Sequence, residues 1–296
     1  MNAILSTHTA YAYAKINLSL DILGTLPSGY HEVRMIMQSL QLHDTITLNI
    51  NNTPGITMTC SDTSLPVDER NLAYRAAVSF CEAYHISDGI ALHLEKKIPV
   101  AAGLAGGSSD AAAVLRGLNE MYGCPANADA LAALGVKLGA DVPYCLMLGT
   151  ALSEGIGERL TALPSAPDCH CLLVKPAAGA STKQIYTDYD ALVQTTDIKH
   201  PDTEALLRAL SAGDYTTLVS RLCNVLEPVT MRLVPDIAVI KETLQALGAD
   251  GVLMSGSGPT VFALFSDPET AKRAEAHFLQ TEYAPGTFLT EFYQPE

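Results

Sequence analysis

The chain has 296 residues, 48% of them hydrophobic, and carries 18 Lys and Arg against 32 Asp and Glu for a formal net charge of −14. That length allows one large domain or two of ordinary size, with enough apolar residues for a real core and no disordered tract. The acidity argues against nucleic acid or an anionic membrane as partner, while leaving room for an anionic small molecule where local Lys and helix termini dominate a cleft.

No uninterrupted apolar run reaches the ~20 residues of a membrane span. The opening MNAILSTHTAYAYAK has neither the charged start nor the apolar core of a secretion signal, and too little Arg for a transit peptide. A cytoplasmic location is expected. The seven Cys are odd in number, scattered and without a Cys-x-x-Cys pair, which points to free thiols rather than a disulfide framework or a zinc site.

Residues 11–24, YAYAKINLSLDILG, alternate in the manner of a half-buried strand. Ala14, Ile16, Leu18 and Leu20 share one face; Tyr13, Lys15, Asn17 and Ser19 share the other, so Lys15 and Asn17 project side by side. Pro27-Ser28-Gly29 marks a turn, and Tyr30-His31-Glu32 follows it. Strands are predicted at 45–50 and 56–60, about the Asn51-Asn52-Thr53-Pro54-Gly55 turn. Asn71 caps a helix in which Leu72, Ala76 and Phe80 recur at helical spacing. A strand at 90–98, carrying Lys96, leads into the most informative stretch of the chain.

That stretch, IPVAAGLAGGSSDAAAVLRGL from Ile98 to Leu118, ends a strand, passes through small residues and opens a helix. Ser108 and Ser109 can cap the helix, and Ala111, Ala112, Val114, Leu115 and Leu118 give it a packing face. Ala101, Ala102, Gly103, Ala105, Gly106 and Gly107 are small enough to let an anion reach the backbone. Free N–H groups at the positive end of the helix dipole would bind it, most simply a phosphate. An ordinary flexible loop is the competing reading of the glycines alone. A Walker loop is excluded because Ser108, not Lys, follows the last Gly, and the dinucleotide fingerprint because no Gly stands two residues after Gly103.

Farther on, a helix at about 128–138 is expected to stop at a left-handed Gly139, and Ala140-Asp141-Val142-Pro143 to form a turn. Strands at 149–154 and 170–175 flank GIGERL and the Pro-rich Leu163–Asp168, the best candidate for a boundary. A helix opens between Gly179 and Tyr186, followed by helices at about 203–211, 214–226 and 235–247, the last stopped by Gly248. Val252–Met254 and Thr260–Phe265 read as strands around Ser255-Gly256-Ser257-Gly258-Pro259, and a helix near 268–280 with a strand near 286–293 completes a βαβ-like C-terminal half.

Pro99-Val100-Ala101-Ala102-Gly103-Leu104-Ala105-Gly106-Gly107-Ser108-Ser109 resembles the Pro-x-x-x-Gly-Leu-x-x-Ser-Ser phosphate loop of the GHMP kinases, with one additional Gly. That Gly and the following Asp110-Ala111-Ala112 resemble one branch of the superfamily, whose substrate carries a diphosphocytidyl group. Similar pieces extend from the Ala-Lys-x-Asn-Leu strand at Ala14 through Gly29-Tyr30-His31 and Gly139-Ala140-Asp141-Val142-Pro143 to SGSGPTVFALF, which ends at Phe265. One departure is Ala101-Ala102, where some members have Gly-Gly.

The resemblance implies an α+β fold of two domains: residues 1–165 like the second domain of ribosomal protein S5, and residues 166–296 ferredoxin-like. It implies transfer of the γ-phosphoryl of ATP to the tertiary C2 hydroxyl of a diphosphocytidyl methylerythritol, on the way to isoprenoid precursors. The loop from Pro99 to Ser109 would hold the ATP phosphates, with Asn71 and Lys96 near the adenosine. Lys15 and Asp141 would be the catalytic pair, Asp141 as base, and with Asn17 would meet the substrate. Tyr30, His31 and Tyr186 would recognise the cytosine. Mg²⁺ would bridge the phosphates, with Ser108 or Ser109 the candidate protein ligand. Another kinase of the superfamily, such as homoserine kinase, and a non-catalytic nucleotide sensor stay open as alternatives, as do monomer and homodimer.

Overall fold

Two strands, β1 (Thr7–Thr25) and β2 (His31–Asn51), run 19 and 21 residues, far beyond the ~5–6 of an ordinary strand. In the computed structural model, which describes residues 6–295, each contributes one end to each of two packed units. One unit takes the chain up to Ala14, Leu42–Val100 and Ala105–Leu148; the other takes Lys15–Gln41, Ala101–Leu104 and the chain from Gly149 onward. The two long strands and the loop before Ala105 pass from one unit to the other. The first five residues of the N-terminal stretch, on which the expected absence of a leader partly rests, lie outside the described residues.

In the first unit, β3 (Gly55–Cys60), α1 (Leu72–Ala83) and β4 (Gly89–Glu95) are followed by α2 (Gly106–Met121), α3 (Ala128–Leu138) and α4 (Val142–Met147). The end of β2 pairs antiparallel with β4, from Thr45 opposite Glu95 to Asn51 opposite Gly89, and β3 lies parallel to β4. Asn71 caps α1 as expected, its side chain accepting the Ala73 N–H. Ala111, Ala112, Ala113, Val114 and Leu115 of α2 are all fully buried, so this helix is enclosed on more than one face. Small side chains make that possible: α1, which packs against it, carries Ala73, Ala76 and Ala77, also buried. A Cβ on Gly117 would come within 2.5 Å of Leu48 Cδ1 on β2. Phe80, completely buried, is the large side chain of this layer, and such burial is worth about 1.5–3 kcal/mol.

The second unit adds β5 (Thr150–Gly155), β6 (Arg159–Ala162), β7 (His170–Val174), α5 (Thr182–Leu192), α6 (Thr203–Ala212), α7 (Tyr215–Ser220), β8 (Cys223–Asn224), α8 (Glu227–Leu233), α9 (Asp236–Ala246), β9 (Gly251–Met254), β10 (Val261–Phe265), α10 (Pro268–Phe278) and β11 (Thr287–Glu291). β5 pairs antiparallel with the start of β2 and with β6, and β8 lies parallel to β1 at Ser19 and Cys223. The remaining four strands form an antiparallel sheet in the order β11-β7-β10-β9. With helices between β7 and β9 and between β10 and β11, this is the βαββαβ pattern of a ferredoxin-like unit.

Three local expectations change. Residues 214–226 are not one helix: α7 ends at Ser220, because Cys223 and Asn224 pair with β1 instead. Gly139 stops α3 with φ 175°, an extended rather than left-handed backbone, whereas Gly248 has the expected positive φ of 92°. β2 begins at His31, well ahead of the predicted strand at 45–50. Among the described residues no helix is long and apolar enough to cross a membrane, and all seven Cys are free thiols.

Candidate active site

The loop turns into α2 earlier than the serines suggest. Ala105 takes a left-handed φ of 57° and the helix starts at Gly106, with no side chain bonded to its first amides. Ser108 and Ser109 are thus the third and fourth helical residues, not caps. Ser109 is buried and its Oγ donates to the Tyr13 carbonyl at 2.6 Å. The first intrahelical bond runs from Ser109 N–H to Ala105 C=O, so the amides of Gly106, Gly107 and Ser108 have no acceptor within the helix. A side-chain cap would have occupied one of these donors. Without one, they and the positive end of a 16-residue helix face the loop, the arrangement an anion needs. Gly107 is exposed and a Cβ there would meet only Leu72 Cδ1, at 3.7 Å; at Gly106 a Cβ would crowd Ile98 Cγ2 at 3.1 Å.

Beneath this helix start lies an ion cluster that the sequence did not single out. Lys96 Nζ bonds Asp110 Oδ2 at 2.8 Å and also Asp44 Oδ2, and these side chains are only 8%, 4% and 0% exposed respectively. Asp44 Oδ1 accepts the backbone amides of Lys97 and Ile98. Burial pushes the Asp110 carboxyl up from its ordinary range; the Lys96 ammonium opposes this and the Asp44 carboxylate reinforces it. For Lys96, burial favours the neutral amine, but the two carboxylates overcome it and raise its pKa. Asp141 is half-buried at the residue before α4, where its carbonyl accepts the Cys145 N–H and Pro143 occupies the first turn.

In the second unit, Lys15 is only 5% exposed, and its Nζ donates to Asn17 Oδ1 at 2.8 Å. The side-by-side placement expected of i and i+2 on a strand is therefore realised as a hydrogen bond. Lys15 N–H also donates to Leu104 C=O at 3.1 Å, and Ser255 Oγ to Gly103 C=O at 3.0 Å, which fixes the first half of the loop. A Cβ on Gly256 would lie 3.4 Å from Asn17 Oδ1 and 3.5 Å from Lys15 Nζ. The Ser255–Pro259 turn thus abuts the Lys15–Asn17 pair. Asn224, which sequence reasoning missed inside an expected helix, holds that turn by donating to the Met254 and Gly256 carbonyls at 2.8 and 2.7 Å.

Gly103 has φ 74°, and a Cβ there would sit 2.3 Å from the Ser255 carbonyl oxygen. Gly103→Ala is accordingly expected to lose at least ~1–2 kcal/mol, the cost of a left-handed non-Gly residue alone. Thermal unfolding would reveal it as a lowered Tm.

His31 and Tyr186 come together, ring centroids 4.9 Å apart at 45°. His31 Nε2 is also 2.7 Å from Asp190 Oδ1. Asp190 follows Tyr186 by four residues on α5 and so shares its helix face, a spacing that could have flagged it. Tyr30, just ahead of β2, is 63% exposed.

Residues 71–149 match the GHMP kinases N terminal domain and residues 196–284 the GHMP kinases C terminal domain. The chain is 50% identical over 283 residues to a 4-diphosphocytidyl-2-C-methyl-D-erythritol kinase of Lachnoclostridium phytofermentans, covering 96% of both chains. It is 45% identical to the protein of the same name from Clostridium acetobutylicum, over 91% of this chain and 94% of that one. Among solved structures, a 4-(cytidine 5'-diphospho)-2C-methyl-D-erythritol kinase aligns with a TM-score of 0.81 at 33% identity, covering 97% of this chain and all of the other. A homoserine kinase from Cytophaga hutchinsonii aligns with a TM-score of 0.76 at 20% identity, over 99% of this chain and 95% of that one, a likeness of fold.

Proposed function

This chain belongs to the GHMP kinases, and on that premise we propose that it transfers the γ-phosphoryl group of ATP to the C2 hydroxyl of 4-diphosphocytidyl-2-C-methyl-D-erythritol. The observation that carries the phosphoryl chemistry is the uncapped start of α2, where three successive amides precede the first helical bond. The choice of acceptor is supported by relatives 45–50% identical over most of their length.

Phosphoryl transfer asks for alignment and charge neutralisation more than for covalent participation by the protein. In this reading the amides of Gly106, Gly107 and Ser108 take phosphate oxygens, and residues 99–105 shape the approach, with Asn71 and Lys96 beside the adenosine. As the C2 oxygen attacks phosphorus, its proton passes to Asp141, the bond to the β,γ-bridging oxygen breaks, and ADP leaves. The Lys15 ammonium, oriented by Asn17, stabilises negative charge that develops on the transferring group.

Among the described residues no three His, Cys, Asp or Glu side chains are grouped to hold a metal ion. Mg²⁺ keeps most of its coordination on substrate phosphates and water. Ser108, half-buried in the first turn of α2, offers a hard oxygen to such an ion; Ser109 has its hydroxyl committed to the Tyr13 carbonyl. When bound, Mg²⁺ would offset phosphate charge and favour in-line geometry.

Tyr30 and Tyr186 supply aromatic faces for the cytosine, with His31 a polar contact to its edge. Tyr186→Ala should raise the KM for the diphosphocytidyl substrate by an amount equivalent to about 1–3 kcal/mol, the worth of one stacked base. The Kd for ATP should stay unaltered, and Tyr186→Phe should be mild because the ring, not the hydroxyl, stacks. Equal losses for both ligands would remove Tyr186 from the cytosine site.

The reaction itself is tested by phosphorus NMR of ATP with the diphosphocytidyl substrate. A new phosphomonoester resonance growing with ADP is the expected result. ATP consumption without that resonance, or phosphorylation of homoserine instead, would overturn the assignment. A cytoplasmic setting fits this chemistry.

A further inference from the structure

Asp44, Lys96 and Asp110 lie far apart in sequence, on β2, just past β4 and in α2, yet form one buried cluster. It does more than fill space. Asp44 Oδ1 takes the amides of Lys97 and Ile98, the residues where the chain leaves β4 for the phosphate loop. Lys96 N–H donates to Ser61 Oγ at 2.9 Å, so the backbone of this corner is held on both sides. Asp110 Oδ2 then ties the corner to α2, at a position four residues beyond Gly106 and about one helical turn beneath the open amides. The first helical residue rests on the same corner: a Cβ on Gly106 would stand 3.1 Å from Ile98 Cγ2 and 3.4 Å from Lys96 Nζ.

We propose that Asp110 is a positioning residue, anchoring the N-terminus of α2 through Lys96 and Asp44 so that the amides of Gly106, Gly107 and Ser108 converge on phosphate. The inference rests on the phosphate-loop reading given above. It also assigns Lys96 a role distinct from direct grip on the nucleotide, since its ammonium is turned to two carboxylates. Toward Lys96 the anchor needs a hydrogen-bond acceptor, which Asp110 Oδ2 supplies. Two carboxylates on one ammonium would leave net negative charge below a site meant for anions, and Asp110 Oδ1 is buried without a hydrogen-bond partner. Burial and Asp44 accordingly disfavour the ionised form of Asp110. An Asn at this position would keep the acceptor toward Lys96 and carry no charge.

Calorimetric titration of the full chain with ATP and with inorganic tripolyphosphate, alongside steady-state kinetics, separates the possibilities. Asp110→Ala should weaken both ligands in parallel by about tenfold, the scale of one hydrogen bond to a charged group. The KM for the diphosphocytidyl substrate should not change, and Asp110→Asn should restore both affinities. A merely structural role would lower the active fraction, hence kcat, and leave both Kd values where they were. Tripolyphosphate binding by Asp110→Ala as tight as in the unsubstituted protein would overturn the proposal. So would loss of ATP without loss of tripolyphosphate, which would make the cluster a nucleoside contact, or failure of Asn to rescue. Should Asp110→Ala not fold, Asp44→Asn serves in its place: it can still accept the two backbone amides but presents an NH₂ group to Lys96, and unaltered tripolyphosphate affinity there would count equally against the anchor. If the unsubstituted protein binds no tripolyphosphate, the phosphate-loop reading falls with the anchor; if it binds and the variants match it, only the anchor falls.

Discussion

Asp141→Asn is expected to lower kcat by roughly 10²–10⁴-fold, the usual contribution of a positioned general base, with the Kd for ATP close to that of the unsubstituted protein. Asn matches the shape of Asp but cannot take the proton of the attacking hydroxyl. The local fold should tolerate the exchange. Asp141 makes no side-chain capping bond to α4, and its link to that helix is through its carbonyl, which accepts the Cys145 N–H. Pro143 in the first turn presets the helix whatever the neighbouring side chain. A fall in kcat is therefore a statement about chemistry once the variant's Tm and ATP titration match the original. Near-normal turnover in such a variant would take Asp141 out of the proton transfer.

Much of this arrangement is legible where the signal is local. The alternation of residues 11–24 places Lys15 and Asn17 on one face, and the structure joins them by a hydrogen bond. The Asn71 cap and the left-handed Gly248 are single-residue signals that hold. The first part of β2 is hidden for a physical reason: Met35, Ile36, Met37 and Leu40 are all buried, so alternation disappears in a strand covered on both faces. Residues 214–226 favour helix locally, but strand pairing of Cys223 and the hydrogen bonds of Asn224 prevail. The serines after Gly107 look like caps because Ser is a common cap; Ala105 turning left-handed moves the helix start ahead of them. The His31–Asp190 and Lys96–Asp44 contacts join residues 159 and 52 positions apart, and no periodicity announces such pairs.

Lys15→Met is expected to lower kcat by roughly 10²–10³-fold, the range seen when one preorganised donor to a developing negative charge is removed. The ammonium of Lys15 is preorganised in a specific sense. It is 5% exposed on β1, its position is set by Asn17 Oδ1 at 2.8 Å, and its backbone N–H is tied to the Leu104 carbonyl. Met retains most of the stem volume, so the packing of β1 should survive. Asn17 keeps its amide contact to Met35 Sδ at 3.3 Å. Arg should not rescue activity, because a forked, planar guanidinium cannot occupy the place of a compact ammonium between Asn17 and the Gly256 turn. Since the charge matters most as the phosphoryl group transfers, kcat should fall with little change in the KM for either substrate. The double variant Lys15→Met, Asp141→Asn gives the sharper result. If the two groups act as one unit, it should lose little more than the worse single variant. Losses that multiply would mean that Lys15 and Asp141 contribute independently to the same barrier, and an unaltered kcat in Lys15→Met would remove the ammonium from the reaction.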